Sequence, residues 1–243
     1  MNKNYNILKV RDHCDSYYEE IPHLFDMPFR ILINGRSQYS GKTTIILNLL
    51  INPEFPYHNK FKGENIYICS NNKLDNKLKI MMERLEIPDT NSFMYDEAYL
   101  EQLYMKLEDE FNDEIMEDGH PAARLIIFDD CGYSGSLKNK TNGIVSRMIC
   151  NGRHLNLSQI YTSQKYSQCS TTLRTNITGA ILFGTTSREI ELISDDMNYL
   201  ETKKAFNQMY VRTTREPRSF LVVNFSNGRD CYMDKGFKTI LED

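Results

Sequence analysis

Apolar and polar residues along the chain switch between a two-residue and a three-to-four-residue period, and the switches mark out its elements. FRILIN (29–34) is a short apolar run of β type, GRSQYS (35–40) a polar loop, and GKTTIILNLLI (41–51) an apolar series at helical spacing. The same order recurs where NIYICS (65–70) leads into KLDNKLKIMMERL (73–85), a unit closed by Pro88. Residues 96–118 place Leu100, Leu103, Tyr104, Leu107, Phe111 and Ile115 three and four apart, which predicts a helix with one packed face. RLIIFDD (124–130) is almost continuously apolar, as in a parallel strand covered on both faces, and ends in two carboxylates. Gly119 and Gly132 flank it as turn residues.

KTNGIVSRMICNG (140–152) reads as a helix ending near Gly152, and the strand beginning at Leu157 (LSQIYTS) ends at Gln164. ITGAILFGT (177–185) is a further strand, SREIELISDDMNYL (187–200) a helix with Ser187 as N-cap, and TKKAFNQMYVRT (202–213) a second helix. FLVVNF (220–225) gives a last strand, and Asn227-Gly228 predicts a hairpin into RDCYM. Strands alternating with helices predict an α/β fold with a mostly parallel central sheet, helices on both faces and right-handed crossovers. No repeat, low-complexity tract or linker divides the chain. Residues 1–28, polar, tyrosine-rich and interrupted by Pro22 and Pro28, read as an N-terminal arm or cap, and 29–243 as one domain.

Length and composition narrow the class. With 243 residues and 40% apolar content the chain can bury a sizeable core, which excludes disorder. A net charge of -4 excludes a generally basic surface, so contact with a polyanion has to be local. The charge is uneven: residues 96–118 hold ten acids and one lysine, leaving the rest of the chain net positive. That helix reads as a solvated acidic face, with a face that repels DNA or docks a basic partner as the alternative. No apolar stretch approaches the ~18 residues of a membrane span and the N-terminus lacks a secretory core, so a soluble intracellular protein is expected. Cys14, Cys69, Cys131, Cys150, Cys169 and Cys231 lie at neither CxxC nor zinc-finger spacing and read as reduced thiols.

Three segments carry chemistry. Ser40-Gly41-Lys42-Thr43-Thr44, between a strand and a helix, is a P-loop pattern: backbone N–H groups cradle phosphates, Lys42 reaches the β- and γ-phosphates, and the Thr43 hydroxyl ligates Mg²⁺. The usual spacing puts the first glycine at position 36, which is Arg36, while Gly35 lies one residue earlier. Either the loop Gly35-Arg36-Ser37-Gln38-Tyr39-Ser40 carries an extra residue, or Arg36 occupies the glycine position. In LIIFDD, Asp129 would hold Mg²⁺ and Asp130 would act as the base that polarises the attacking water. Gln164, at the end of the next strand, can orient that water. Arg153, eleven residues before it, suits a neighbouring subunit's γ-phosphate or a DNA phosphate, with Arg147 and Arg174 as rivals.

NGRSQYSGKTT, LIIFDDCG and GRHLNLSQIYTSQKYSQCSTTLRTNITGAILFG together resemble the genome-packaging ATPases of large DNA viruses and virophages in the FtsK/HerA superfamily, over roughly residues 29–225. The resemblance implies a RecA-like P-loop NTPase core of the ASCE type, in which one strand separates the Walker B strand from the P-loop strand. It further implies a hexameric ring that hydrolyses ATP with Mg²⁺ at subunit interfaces and translocates double-stranded DNA without sequence preference. Gln164 is then the sensor and Arg153 the trans-acting finger. A capsid or vertex protein is the implied docking partner, and the host cytoplasm or the virion the location. Arg36 and an aspartate at 130, where many relatives carry glutamate, depart from the pattern. Lys138, Lys140, Lys165, Lys203 and Lys204 are candidate DNA contacts. A P-loop kinase using LRTNIT and REPR as a lid, or a nucleotide-binding scaffold without turnover, are the competing readings.

Overall fold

The computed structural model describes residues 16–37, 40–71, 75–117, 119–131 and 143–240. Its centre is an eight-stranded sheet of order β3-β2-β4-β5-β1-β6-β7-β8. The strands are β1 (Arg30–Asn34), β2 (Ile66–Ser70), β3 (Ser92–Phe93), β4 (Arg124–Asp129), β5 (Leu157–Ser163), β6 (Gly179–Phe183), β7 (Phe220–Asn224) and β8 (Tyr232–Met233). All pairings from β3 to β6 are parallel, and β7 runs antiparallel to both β6 and β8. The helices are α1 (Lys42–Ile51), α2 (Asn76–Arg84), α3 (Glu97–Glu117), α4 (Ile144–Asn151), α5 (Thr171–Asn176), α6 (Ser187–Met197) and α7 (Lys203–Thr213).

Strand side chains alternate between two cores, as a pleated sheet covered on both sides requires. Ile31 and Ile33 of β1, Leu125 and Ile127 of β4 and Ile181 of β6 join Ile46, Leu49 and Leu50 of α1 and Leu78 and Met81 of α2. Leu32, Ile126, Phe128, Tyr161 and Leu182 point the other way, into Leu100, Leu103, Tyr104 and Leu107 of α3 and the apolar faces of α4 to α7. Crossovers of one hand explain this sorting. The chain runs toward β3 through α1 and α2 on one face, then back toward β6 through α3, α4 and α5 on the other. β5 separates β4 from β1, so the acid-bearing strand stands one strand away from the strand that enters the lysine loop.

The acidic segment is the long α3. Leu100, Leu103, Tyr104 and Leu107 are buried, and Asp109, Asp113 and Glu117 face solvent. Arg124, 1% exposed at the start of β4, binds Glu114 at 2.8 Å and ties that helix to the sheet. Ahead of β1, Phe25 is fully buried, the Tyr57 hydroxyl donates to the Phe25 carbonyl at 2.6 Å, and the Asn224 amide donates to the Leu24 carbonyl at 2.7 Å.

Several boundaries differ from the expected ones. Thr186, not Ser187, precedes the first turn of α6, and it makes no side-chain cap. The predicted hairpin exists, but β7 and β8 are joined through 225–231 with Gly228 at φ 60, so Asn227-Gly228 is part of a longer connection. β3 and α5 have no signal in the hydrophobic pattern, because each is too short to show a period. β5 stops at Ser163, with Gln164 just beyond it, and Asp130 leaves β4 in the left-handed region at φ 51. Gly132 and Cys14 lie outside the described residues, as do positions 140–142 of the helix expected over 140–152.

Candidate active site

The lysine loop leaves β1 at the carboxyl edge of the sheet. The Gly35 N–H donates to the Ser163 carbonyl at 3.0 Å, and a Cβ built on Gly35 would lie 2.7 Å from the Ser40 Cβ and 2.8 Å from the Phe183 Cβ. Nothing larger than glycine fits there without displacement, whereas Arg36 is exposed and its carbonyl accepts the Ser40 hydroxyl at 2.6 Å. The geometry therefore supports the register with an extra residue between Gly35 and Gly41. Gln38 and Tyr39 of that stretch lie outside the described residues. Gly41 adopts φ 90, a left-handed conformation that glycine takes at no steric cost, and it starts α1 with no side-chain cap and no acid in the first turn. The first N–H groups of α1 are thus left for an anion.

Lys42 reaches back over this loop, its ammonium donating to the Gly35 carbonyl at 2.7 Å. Burial lowers its proton affinity, and the nearby charges of Asp130 and Asp129 oppose that. Thr43 follows it half-buried at the helix start.

The two acids are held from β5. The Thr162 hydroxyl donates to Asp129 Oδ1 at 3.0 Å and accepts the Asp130 N–H at 2.8 Å. Asp129 is 5% exposed, and burial pushes its pKa up. The Thr162 bond and Lys42 counter that shift, while the charges of Asp130 and Asp75 add to it. Gln164 donates its amide to both Asp130 oxygens, at 3.0 and 2.8 Å. Asn34, fully buried at the end of β1, donates to the Ser163 hydroxyl at 2.8 Å and fixes the strand end that carries Gln164. Lys42, Thr43, Asp129, Asp130 and Gln164 therefore meet at adjacent strand ends, and all of these but Gln164 line one cleft of about 450 Å³.

Asp75, Lys77, Phe183 and Arg218 line the same cleft; of these, sequence reasoning touched only Arg218, as part of the REPR lid of the competing kinase reading. Asp75 caps α2 by accepting the Lys77 N–H at 2.8 Å, which puts Lys77 in the first turn with its ammonium 2.8 Å from the Thr44 hydroxyl. A helix-start signal existed there, but nothing in it indicates that α2 begins beside α1. Arg218, the last residue of REPR, enters from the segment before β7 with φ 63. On the other side of the lysine loop, Arg36, Gln164 and Lys165 share a second cleft of about 570 Å³.

Arg153 is not in this assembly. It lies in the tight turn Gly152–Leu155 before β5, at the opposite end of the sheet, where its carbonyl accepts the Tyr17 hydroxyl at 3.0 Å. β5 has seven residues and spans about 23 Å at the usual rise per residue. Arg147 is bound to Glu101 at 3.0 Å and lies over the Tyr104 ring, and Arg174 is bound to Asp196 at 2.5 Å over Tyr166. Among the lysines considered for DNA, Lys203 pairs with Asp195, Lys204 is exposed on α7, and Lys138 and Lys140 lie outside the described residues.

A lysine loop opening a helix after a parallel strand, with a clamped acid pair at the end of a strand separated from it by one other and a glutamine just past the end of that intervening strand, defines a P-loop ATPase of the RecA-like class. The chain belongs to the Poxvirus A32 protein family, whose model matches residues 18–235. No protein with a curated description matches the chain significantly. Among solved structures, the genome packaging NTPase B204 from Sulfolobus turreted icosahedral virus 2, in complex with AMPPCP, is similar at a TM-score of 0.57 and 17% identity, over 88% of this chain and 99% of that one. EssC (ATPases 2 and 3) from Geobacillus thermodenitrificans is similar at a TM-score of 0.54 and 15% identity, over 81% of this chain and 38% of that one. The resemblance read from the motifs, to viral packaging ATPases of the FtsK/HerA type, is met by these findings.

Proposed function

We propose that the protein is the ATP-driven motor that packages viral double-stranded DNA into the capsid, working as a ring with ATP hydrolysed where one copy meets the next. The observation that carries this reading is the joint placement of Lys42, Asp129, Asp130 and Gln164 at adjacent strand ends, with a guanidinium-bearing turn at the far end of the same sheet. Family membership and the likeness to B204 support the packaging assignment.

Phosphates bind along the N-terminus of α1, with Lys42 turned from the Gly35 carbonyl toward the β- and γ-oxygens. Thr43 and Asp129 supply hard oxygen donors and fit Mg²⁺, which takes few protein ligands and completes its shell with phosphates and water. Among the described residues no cluster of three or more carboxylate, thiol or imidazole groups suggests a dedicated metal cage, in keeping with that mode. When bound, the ion neutralises charge on the transferred phosphate. Asp130 accepts a proton from the attacking water, and Gln164, bonded to both of its oxygens, orients that water and transmits the loss of the γ-phosphate to β5.

Arg153 stands about 23 Å from its own cleft along β5, so it can reach a nucleotide only in another copy. Arg147 and Arg174 are already engaged with acids, which favours Arg153 as the finger. A heterologous contact of this kind closes into a ring, six copies by family analogy. DNA contact would be salt-dependent and indifferent to sequence, with Lys165 and Lys204 the exposed candidates. Among the described residues no helix is long and apolar enough to cross a membrane, and a site of action in the host cytoplasm, at a capsid vertex, fits the reading.

The test is ATP hydrolysis with and without linear double-stranded DNA at low and high salt. Salt-sensitive stimulation that disappears in Lys42→Ala is expected. Nucleotide binding without stimulated hydrolysis, even with capsid present, would replace the motor by a scaffold.

A further inference from the structure

The acidic face of α3 and an open groove on α7 take no part in the candidate active site. The groove, about 820 Å³ in volume, is lined by α6, α7 and the turn that follows α7. Lys203, Lys204, Arg212 and Arg215 bring four cations to its lining against the carboxylate of Glu191, which accepts from the Asn207 amide at 2.7 Å. Val211, 54% exposed, lies among them. On α3, Asp109, Asp113 and Glu117 are exposed at four-residue spacing. Among the described residues none of these three forms an ion pair, whereas Glu110 and Glu114 meet Lys106 and Arg124. Like charges at that spacing repel, and acids in a last turn that holds no basic residue oppose the helix dipole. Beside these acids, Met105 and Met116 are 59% and 84% exposed and stand about 16 Å apart along the helix axis.

The two surfaces are complementary: exposed methionines edged by carboxylates on one helix, an exposed valine edged by cations on the other. We propose that the α7 groove is the docking site for α3 of a neighbouring copy, with the acidic C-terminal half of α3 set against Arg212 and Arg215. This rests on the ring reading above and names a surface through which the ring is built. The fold favours a second copy as the occupant. Both helices pack on the same face of the sheet, but α3 leads into β4 and α7 into β7, which lie on opposite sides of β5 and β1. Each copy therefore carries the two surfaces on opposite flanks, and the contact is heterologous, leaving one of each free for the next copy. The edges of the sheet agree with this. The acidic end of α3 is tied to the Arg153 turn, since Phe111 meets the Tyr17 ring at 5.9 Å and the Tyr17 hydroxyl donates to the Arg153 carbonyl. The basic end of α7 runs on to Arg218, which lines the cleft. Docking α3 on α7 thus brings the amino edge of one copy toward the carboxyl edge of the next.

Charge reversal tests the contact, with Asp113→Lys/Glu117→Lys on α3 and Arg212→Glu/Arg215→Glu on α7. Self-association of the full chain is read by sedimentation velocity in the presence of a non-hydrolysable ATP analogue. Each reversal should weaken it by about tenfold or more, because like charges then face each other. An equal mixture of the two reversed proteins should associate like the parent, and so should one chain carrying all four substitutions. That last chain keeps the parent's net charge, so its recovery reports the contact and not a general attraction between oppositely charged proteins. Reversed proteins that each associate like the parent overturn the contact and leave the ring to another surface. Weakening with no recovery in the four-substitution chain also overturns it. If the α7 reversal leaves association intact and instead weakens binding of double-stranded DNA in fluorescence anisotropy, the groove belongs to DNA and the proposal falls. A parent that stays monomeric at every concentration removes the ring reading, and this contact with it.

Discussion

The two ends of β1 and β5 carry opposite solutions to the problem of placing charge near a sheet. At the carboxyl edge Lys42, Lys77 and Arg218 are gathered with Asp75, Asp129 and Asp130, so most charge is answered inside the subunit. Thr162, Gln164 and Asn34 fix the geometry through neutral hydrogen bonds. At the amino edge, among the described residues, Arg30 and Arg153 form no ion pair, and the Arg30 guanidinium instead donates to the Ile149 carbonyl. The difference teaches that the structure gathers its charged and polar groups into one constellation at the carboxyl edge, while the amino edge contributes to a site only under the ring reading proposed above. A strand separates the two edges by about 23 Å, so in the proposed ring a head-to-tail contact between copies would be needed to bring them together.

The largest effect should come from the carboxyl edge. Lys42→Ala removes the ammonium proposed above to bind the β- and γ-phosphates, and steady-state hydrolysis should fall by roughly 10³ or more, together with binding of a fluorescent ATP analogue. Asp130→Asn should keep that binding and lower turnover by about 10² to 10⁴. Arg153→Gln should behave like Asp130→Asn although it changes the other edge. If it abolished binding by isolated subunits instead, the division between the two edges would be wrong. Thr162→Val takes away the hydroxyl that clamps both acids, and the expected loss in kcat is about 10-fold to 100-fold, comparable to removing a group that orients a metal ligand. Unaltered turnover would mean that the acids are positioned by something else.

Smaller effects concern stability. Gly35→Ala forces a methyl group to within 2.8 Å of Ser40 and Phe183, and should cost about 1–3 kcal/mol in urea unfolding if the cleft walls have to move apart. Subtler still is pH. The pKa of Asp129 is raised in the folded protein, chiefly by burial, so the folded state binds its proton more readily than the unfolded chain. Its contribution to stability is present below the ordinary carboxylate range and is lost as pH rises through the raised folded value. Asp129→Asn should flatten that part of the stability profile, measured without nucleotide. Binding of Mg²⁺-nucleotide needs the carboxylate ionised and should weaken as pH falls through the same range.

Much of the carboxyl edge was legible because its chemistry sits in contiguous stretches. Gly41-Lys42-Thr43 follows a β run and opens a helix, and Asp129-Asp130 closes another. Thr162 was visible only as a polar residue near a strand end, since its role depends on β5 lying beside β4. Lys77 was missed as a site residue, and Arg218 was read only as part of a kinase lid, for the same reason. They come from a helix start and a pre-strand segment that only the packing of α2 and the position of β7 bring to the lysine loop. The unit 140–152 was read as a helix, yet nothing local shows that its exit sets Arg153 at the amino edge of the sheet, against Tyr17.

By itself, then, the sequence determined the alternation of strands and helices, the position of the lysine loop, the acid pair and the glutamine. Each is written in a period or motif a few residues long, and backbone geometry acts at that range. Only the tertiary structure decided which strands are neighbours, which glycine must stay bare, and which charges are answered within the subunit. Those depend on groups brought together from residues tens of positions apart, as Asp130 and Gln164 are, or more than a hundred, as Gly35 and Ser163 are, and the closing of the sheet brings them into contact.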